Sequence, residues 1–177
     1  EAHKIKTYIE KVKKELQANL AGSSIDYLTA AINLLKRGQT AVFFSDTGYI
    51  TQPIVGNLTI AIELMLKAFI FSKNPILVFK DLPLELRVAF TSPESVGDDF
   101  KWRQYDVSLR SFEYKTIEMD ELISTYYVFR PDLRQELQPF FKLFTQCRNV
   151  SIHASLPSFQ KYELERTAYL AMRLFKE

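Results

Sequence analysis

Arg148-Asn149-Val150-Ser151-Ile152-His153, near the C-terminal end, sets a permanent cation, an amide and an imidazole within six residues. The chain has two histidines, and the other, His3, stands at the opposite terminus. An imidazole titrates near neutrality and can act as general base or acid. A guanidinium can neutralise the charge that develops on phosphate oxygens in a transition state. Together they suit metal-independent RNA cleavage, in which a ribose 2′-OH attacks its own phosphate. The products would be a 2′,3′-cyclic phosphate and a 5′-OH, and DNA, lacking that hydroxyl, would survive.

The spacing constrains how these groups can meet. A helix advances about 100° per residue, so side chains five apart point about 140° from each other. Arg148 and His153 therefore do not converge on one atom from a regular helix. Asn149 and His153, four apart, share a face. Convergence of Arg148 with His153 requires a distorted helix end, for which Pro157 gives a reason, or a second copy of the chain facing the first. A competing reading makes His153 a packing or capping residue and pairs Arg148 with an acid such as Glu163 or Glu165. At a helix C-terminus the dipole favours imidazolium, while burial and Arg148 oppose it.

Other chemistry is thinly represented. Cys147 is the only cysteine, which excludes an internal disulfide framework and a cysteine-rich zinc site. No second histidine lies near it in sequence to activate the thiol, so buried packing is the expected role. No Gly-rich phosphate loop or paired metal-ligand motif occurs, and neither cofactor nor metal is expected. The run Phe100-Lys101-Trp102-Arg103-Gln104-Tyr105 mixes cations with rings that could stack bases, but its expected role is a loop packing its rings onto the domain.

The elements that must carry the motif read as helices. Lysines alternate with Ile5, Ile9, Val12 and Leu16 over residues 4–19, an amphipathic helix with a basic outer face. Ser23-Ser24-Ile25-Asp26 reads as the cap of a second helix through Leu28, Ala31, Ile32, Leu34 and Leu35, broken or bent at Gly38. Gly48 and Pro53 bracket a predicted loop. Ile54 to Phe71 follows as a long buried helix, stopped by Asn74-Pro75. Residues 76–111 are the least regular, with Ile76–Phe79 and Arg87–Phe90 as short strands or extended segments between turns. Thr116–Tyr127 is predicted helical, with acids early where the helix dipole favours them. Pro131-Asp132 restarts the chain into a stripe of Leu133, Leu137, Phe140, Phe141 and Phe144 that leads to the motif. Pro139 either kinks that helix or opens a new first turn. Ser158–Phe175 closes the chain, with Tyr162, Leu164, Tyr169, Leu170 and Leu174 inward.

With 177 residues, 47% hydrophobic and five glycines, the expectation is one helical domain spanning 1–177 with a sizeable core. A start at Glu1 without Met suits a domain excised from a longer protein. A net charge of +2 and a pI near 8.6 are too mild to indicate nucleic acid by field alone, so any such role needs a local basic site. The polar start Glu1-Ala2-His3-Lys4 has no signal-peptide pattern, and Leu58–Phe71 is interrupted by Glu63 and Lys67. The expected setting is cytoplasmic, away from membranes.

The motif resembles that of the HEPN superfamily, an Arg followed after four to six residues by His, often with a polar residue after the Arg. Here those are Arg148, His153 and Asn149. Ala61 to Phe69 resembles the family's early helix, with Glu63 four residues before Lys67, and Lys115–Ile123 resembles the segment before the motif helix. The resemblance implies an all-α, up-and-down bundle of four to five helices, with the irregular insertion around residues 76–111. It also implies a homodimer whose motif residues line one shared cleft, and RNase activity in toxin or antiviral settings, with an antitoxin or neighbouring effector domain as partner. Catalytic roles carry over to Arg148 and His153, with an orienting role for Asn149. Ser155, where nucleotide-modified members carry Tyr, disfavours that subclass. Some members are non-catalytic dimerisation, ligand-sensing or docking modules, which is the alternative function.

Overall fold

The computed structural model describes residues 2–41, 48–97, 99–153 and 161–176. The fold is all-α: α1 (Ala2–Ala41), α2 (Gly48–Lys73), α3 (Leu84–Thr91), α4 (Arg103–Arg110), α5 (Met119–Phe129), α6 (Arg134–His153) and α7 (Lys161–Phe175), with short 3-10 turns between some of them. Among the described residues there is no strand, only an isolated antiparallel bridge between Phe79 and Thr116.

α1 is one helix about 60 Å long, not two. The expected cap at Ser23-Ser24 fails because Ile9, Val12, Leu16, Leu20, Ser24, Leu28 and Ala31 form one buried stripe at three- and four-residue steps. Ser24 is itself buried, and its hydroxyl donates back to the Ala21 carbonyl at 2.7 Å instead of capping a new helix. Packing of this stripe on α2 outweighs the local preference of serine for helix starts.

α2 is the central helix, packed against α1, α5, α6 and α7. It begins at Gly48, so the predicted loop bracketed by Gly48 and Pro53 is helix. Pro53 stands sixth in α2, as Pro139 does in α6. That early in a helix, proline forgoes one hydrogen bond to the residue four back while its fixed φ suits the helix. The Pro53–Lys73 span is long and apolar enough to cross a membrane by length and composition alone. Within the fold, 61% of that window is buried against protein.

Residues 76–111 form short helices where short strands or extended segments were predicted. Asn74 ends α2 as expected, its side-chain oxygen accepting the Ile76 N–H at 3.1 Å to start a 3-10 turn over Pro75–Val78. Arg87–Phe90 belongs to α3, where Leu86, Ala89 and Phe90 are buried at helical rather than alternating spacing. Trp102 is also buried, edge-on to Tyr8 of α1 with ring centroids 5.5 Å apart. Arg110 of α4 bonds Glu15 of α1, and Asp106 at 2.9 Å. This segment therefore covers the N-terminal half of α1. Phe112, after α4, takes φ 50°, a left-handed conformation costing about 1 kcal/mol for a bulky residue. Its ring stacks on Phe79 at 6.2 Å, which offsets that cost.

α5 starts at Met119, three residues later than the sequence suggests. Glu121 accepts the Glu118 N–H at 3.0 Å in a capping box. α6 and α7 are antiparallel. Arg173, near the end of α7, reaches Glu136 at the start of α6 at 3.1 Å. Near the other end of α6, Cys147 lies beside Thr167. Leu164, Leu170 and Leu174 of α7 face inward as expected. Tyr162 and Tyr169 do not: they are 51% and 41% exposed.

Candidate functional site

α6 carries all three motif positions and stays α-helical as far as His153, where the described residues break off. Leu137, Phe141, Phe144 and Cys147 anchor it to the core at steps of four, three and three. Arg148 is one residue past Cys147 and sits on the inner side, about 40° from Phe144, yet it is only half-buried. Asn149 is exposed, in register with exposed Lys142 and Gln146. Position 153 falls in that same outward register, about 180° from Phe144. The side chain of His153 lies outside the described residues, as do residues 154–160, which include Pro157.

Asn149 and position 153 thus share a face, whereas Arg148 points away from both. A distorted helix end, one of the two routes to convergence, is not what the backbone provides as far as His153. The competing pairing of Arg148 does not form either: among the described residues it makes no ion pair, with Glu163, Glu165 or any other acid. A half-buried guanidinium has lost part of its hydration without recovering it from a fixed carboxylate, which leaves its charge available to an anionic ligand.

Glu63 and Lys67 pair with each other within α2, Nζ to Oε1 at 2.5 Å, with Lys67 buried. This is the intrahelical partnership that i,i+4 spacing favours, and it uses both groups. Cys147 is buried, and its thiol is pushed up to about 11, chiefly by burial and then by nearby Glu163. A thiol so rarely ionised is a poor nucleophile. Among the described residues no three His, Cys, Asp or Glu side chains gather as a metal-ligand set.

Two features escaped the sequence reading. Tyr162, Tyr169 and Met172 form an exposed apolar stripe on α7. Tyr169 leans on Phe140 across the groove between α6 and α7, with ring centroids 5.2 Å apart. Helical spacing alone cannot say which of two apolar faces turns inward, although the rings' polar tips were a hint. The other feature is a lysine-lined cleft between the N-terminal half of α1 and the end of α2. Its residues are too far apart in sequence to register as a cluster. No protein-family model, curated protein or solved structure matches the chain.

Proposed function

We propose that this chain is a metal-independent endoribonuclease of HEPN type, acting on RNA as a homodimer. The observation that supports it most is Arg148, a half-buried cation without an acidic partner among the described residues, on a helix that is continuous as far as His153. In this reading the imidazole of His153 accepts the proton of a ribose 2′-OH. That oxygen forms its bond to phosphorus as the bond to the 5′-oxygen breaks, and the leaving oxygen takes up a proton. Arg148 offsets the charge on the non-bridging oxygens, and Asn149 orients the groups beside it. Because positions 148 and 153 lie about 140° apart on a continuous helix, this reading pairs the Arg of one copy with the His of the other. The exposed α7 stripe, adjoining α6, is an apolar surface that suits holding two copies together.

The test is RNA incubated with excess EDTA and wild-type, Arg148→Ala or His153→Ala protein, with DNA as control. Cleavage by the wild type alone, leaving 2′,3′-cyclic phosphate ends, is the expected result. Cleavage that EDTA abolishes, or that survives His153→Ala, would sink the chemistry.

A second reading, a non-catalytic dimerisation or docking module, is favoured by that same divergence together with the α7 stripe. It requires that dimers form and that no RNA is cut at any concentration.

A further inference from the structure

An open cleft of about 460 Å³ lies where the N-terminal half of α1 meets the C-terminal end of α2, with Phe90 and Thr91 of α3 in its wall. Lys13, Lys14 and Lys73 line it, against a single carboxylate, Glu10. Lys13 is fixed there, bonded to Glu10 at 2.9 Å, with its Nζ 5.9 Å from the centre of the Phe90 ring. Lys14 is exposed and has no ionic partner among the described residues. Lys73 has an exposed ammonium 5.3 Å from the Phe69 ring centre. Gln17 and Asn74 add side-chain amides to the wall. This is the local basic site that the mild overall charge does not reveal.

We propose that this cleft binds the backbone phosphates of an RNA strand whose scissile bond lies at the motif. The ligand's identity rests on the ribonuclease reading; the cleft's chemistry does not. Phe71 and Phe90 lie buried in its floor, so no ring is presented for a base to stack on. Contact is left to the lysine ammonium groups, which suit phosphates of any sequence. A small phosphorylated metabolite fits less well, because such ligands are normally enclosed over most of their surface and this cleft is open.

The cleft lies at a distance from the motif. Thr167, beside Cys147, is about 10 Å along α7 from Leu174, which lines a groove with Ser72 of α2. The cleft begins at Ser72, about one helix width further on, or roughly 20 Å from Arg148. A strand engaging both must be several nucleotides long. One feature opposes binding: α2 ends at this cleft, and its C-terminal carbonyls repel an anion. Asn74 N–H occupies the Ile70 carbonyl at 2.8 Å, and Lys73 offsets part of the remainder. The lysines could serve that neutralisation alone, and the experiment must separate the two roles.

The measurement is binding of labelled RNAs of ~4 and ~12 nucleotides to His153→Ala protein over a range of salt. The same protein carrying Lys14→Gln and Lys73→Gln is compared with one carrying Lys101→Gln and Lys115→Gln, a charge-matched control at exposed lysines that do not line the cleft. Loss of two phosphate contacts is expected to weaken the long RNA about tenfold and shrink its log–log salt slope by about 1.4. The short RNA should change by no more than about twofold, so most of the gain with length disappears. Equal affinity and slope in the cleft variant, or an equal loss in the control, overturns the proposal. So does a lowered melting temperature with unchanged RNA binding, which is the signature of helix neutralisation. Intact EDTA-resistant cleavage alongside that failure leaves the ribonuclease reading standing. Absent cleavage with lysine-dependent binding removes that reading alone.

Discussion

Arg148 and Cys147 are neighbours on α6 with opposite fates, and the difference is what each finds around it. The guanidinium is half-buried without a carboxylate among the described residues, so Arg148→Lys tests whether its planar, forked donors matter beyond charge. Single-turnover cleavage by the lysine variant is expected to fall about a hundredfold, with the far-ultraviolet spectrum unchanged. Cys147 should be inert: with its thiol pushed up to about 11, roughly a thousandth is ionised at pH 8. Iodoacetamide should therefore label it in denaturant and hardly at all in the native protein; rapid native labelling would contradict its burial. Tyr126 makes a third case. Its ring is fully buried against Phe69 and Phe141, and its hydroxyl has no hydrogen-bond partner among the described residues. Burial raises this phenol from 10.0 to about 12. The unfolded chain therefore ionises first, and the associated stability is present below pH 10 and lost as pH climbs toward 12. Tyr126→Phe removes an unsatisfied polar group, so at pH 7 urea unfolding should show a gain of about 1 kcal/mol. The variant should also lose less stability than the wild type between pH 10 and 12. A net loss at pH 7 would mean that the hydroxyl has a partner.

At the scale of elements, sequence patterns served well where one face of a helix meets one neighbour. The stop at Asn74-Pro75, the acidic start of α5 and the stripe leading to Arg148 were all legible. They failed where a local signal competed with long-range packing. Ser23-Ser24 looked like a cap, and Pro53 like a loop, because both residues disfavour helix interiors in isolation. Buried Ser24 and the unbroken stripe of α1 overrode the first signal. An early position in α2 accommodated the second. The continuity of α1 has a direct test at Gly22, where an added Cβ would meet nothing within 4 Å. Gly22→Ala should raise stability by about 0.5–1 kcal/mol if the helix is continuous there. A neutral or destabilising result in urea unfolding would instead favour a hinge.

For the whole molecule, the central question is how many copies make one site. Tyr162, Tyr169 and Met172 leave an apolar stripe on the outer face of α7, beside the helix that carries the motif. Under the dimer reading, Tyr169→Glu should give monomers in sedimentation velocity and abolish cleavage without unfolding the chain, because the ring is 41% exposed. Mixing Arg148→Ala with His153→Ala protein should restore part of the activity, since one of the two composite sites in a mixed dimer is intact. An unrestored mixture, with subunit exchange shown to occur, would remove the shared site.

From its residues alone the chain disclosed that it is helical, that α2 is its apolar centre, and that Arg148, Asn149 and His153 lie at the end of the penultimate helix. Those properties follow from periodicity and turn chemistry, which act within a few residues. Tertiary structure decided that α1 runs unbroken, that residues 76–111 coil into short helices over it, and that Tyr162 and Tyr169 face outward. It also brought Lys13 and Lys14 to Lys73 and left Arg148 without a carboxylate among the described residues. Each of these depends on which helix lies beside which, a choice made by burying apolar area between residues far apart in the chain.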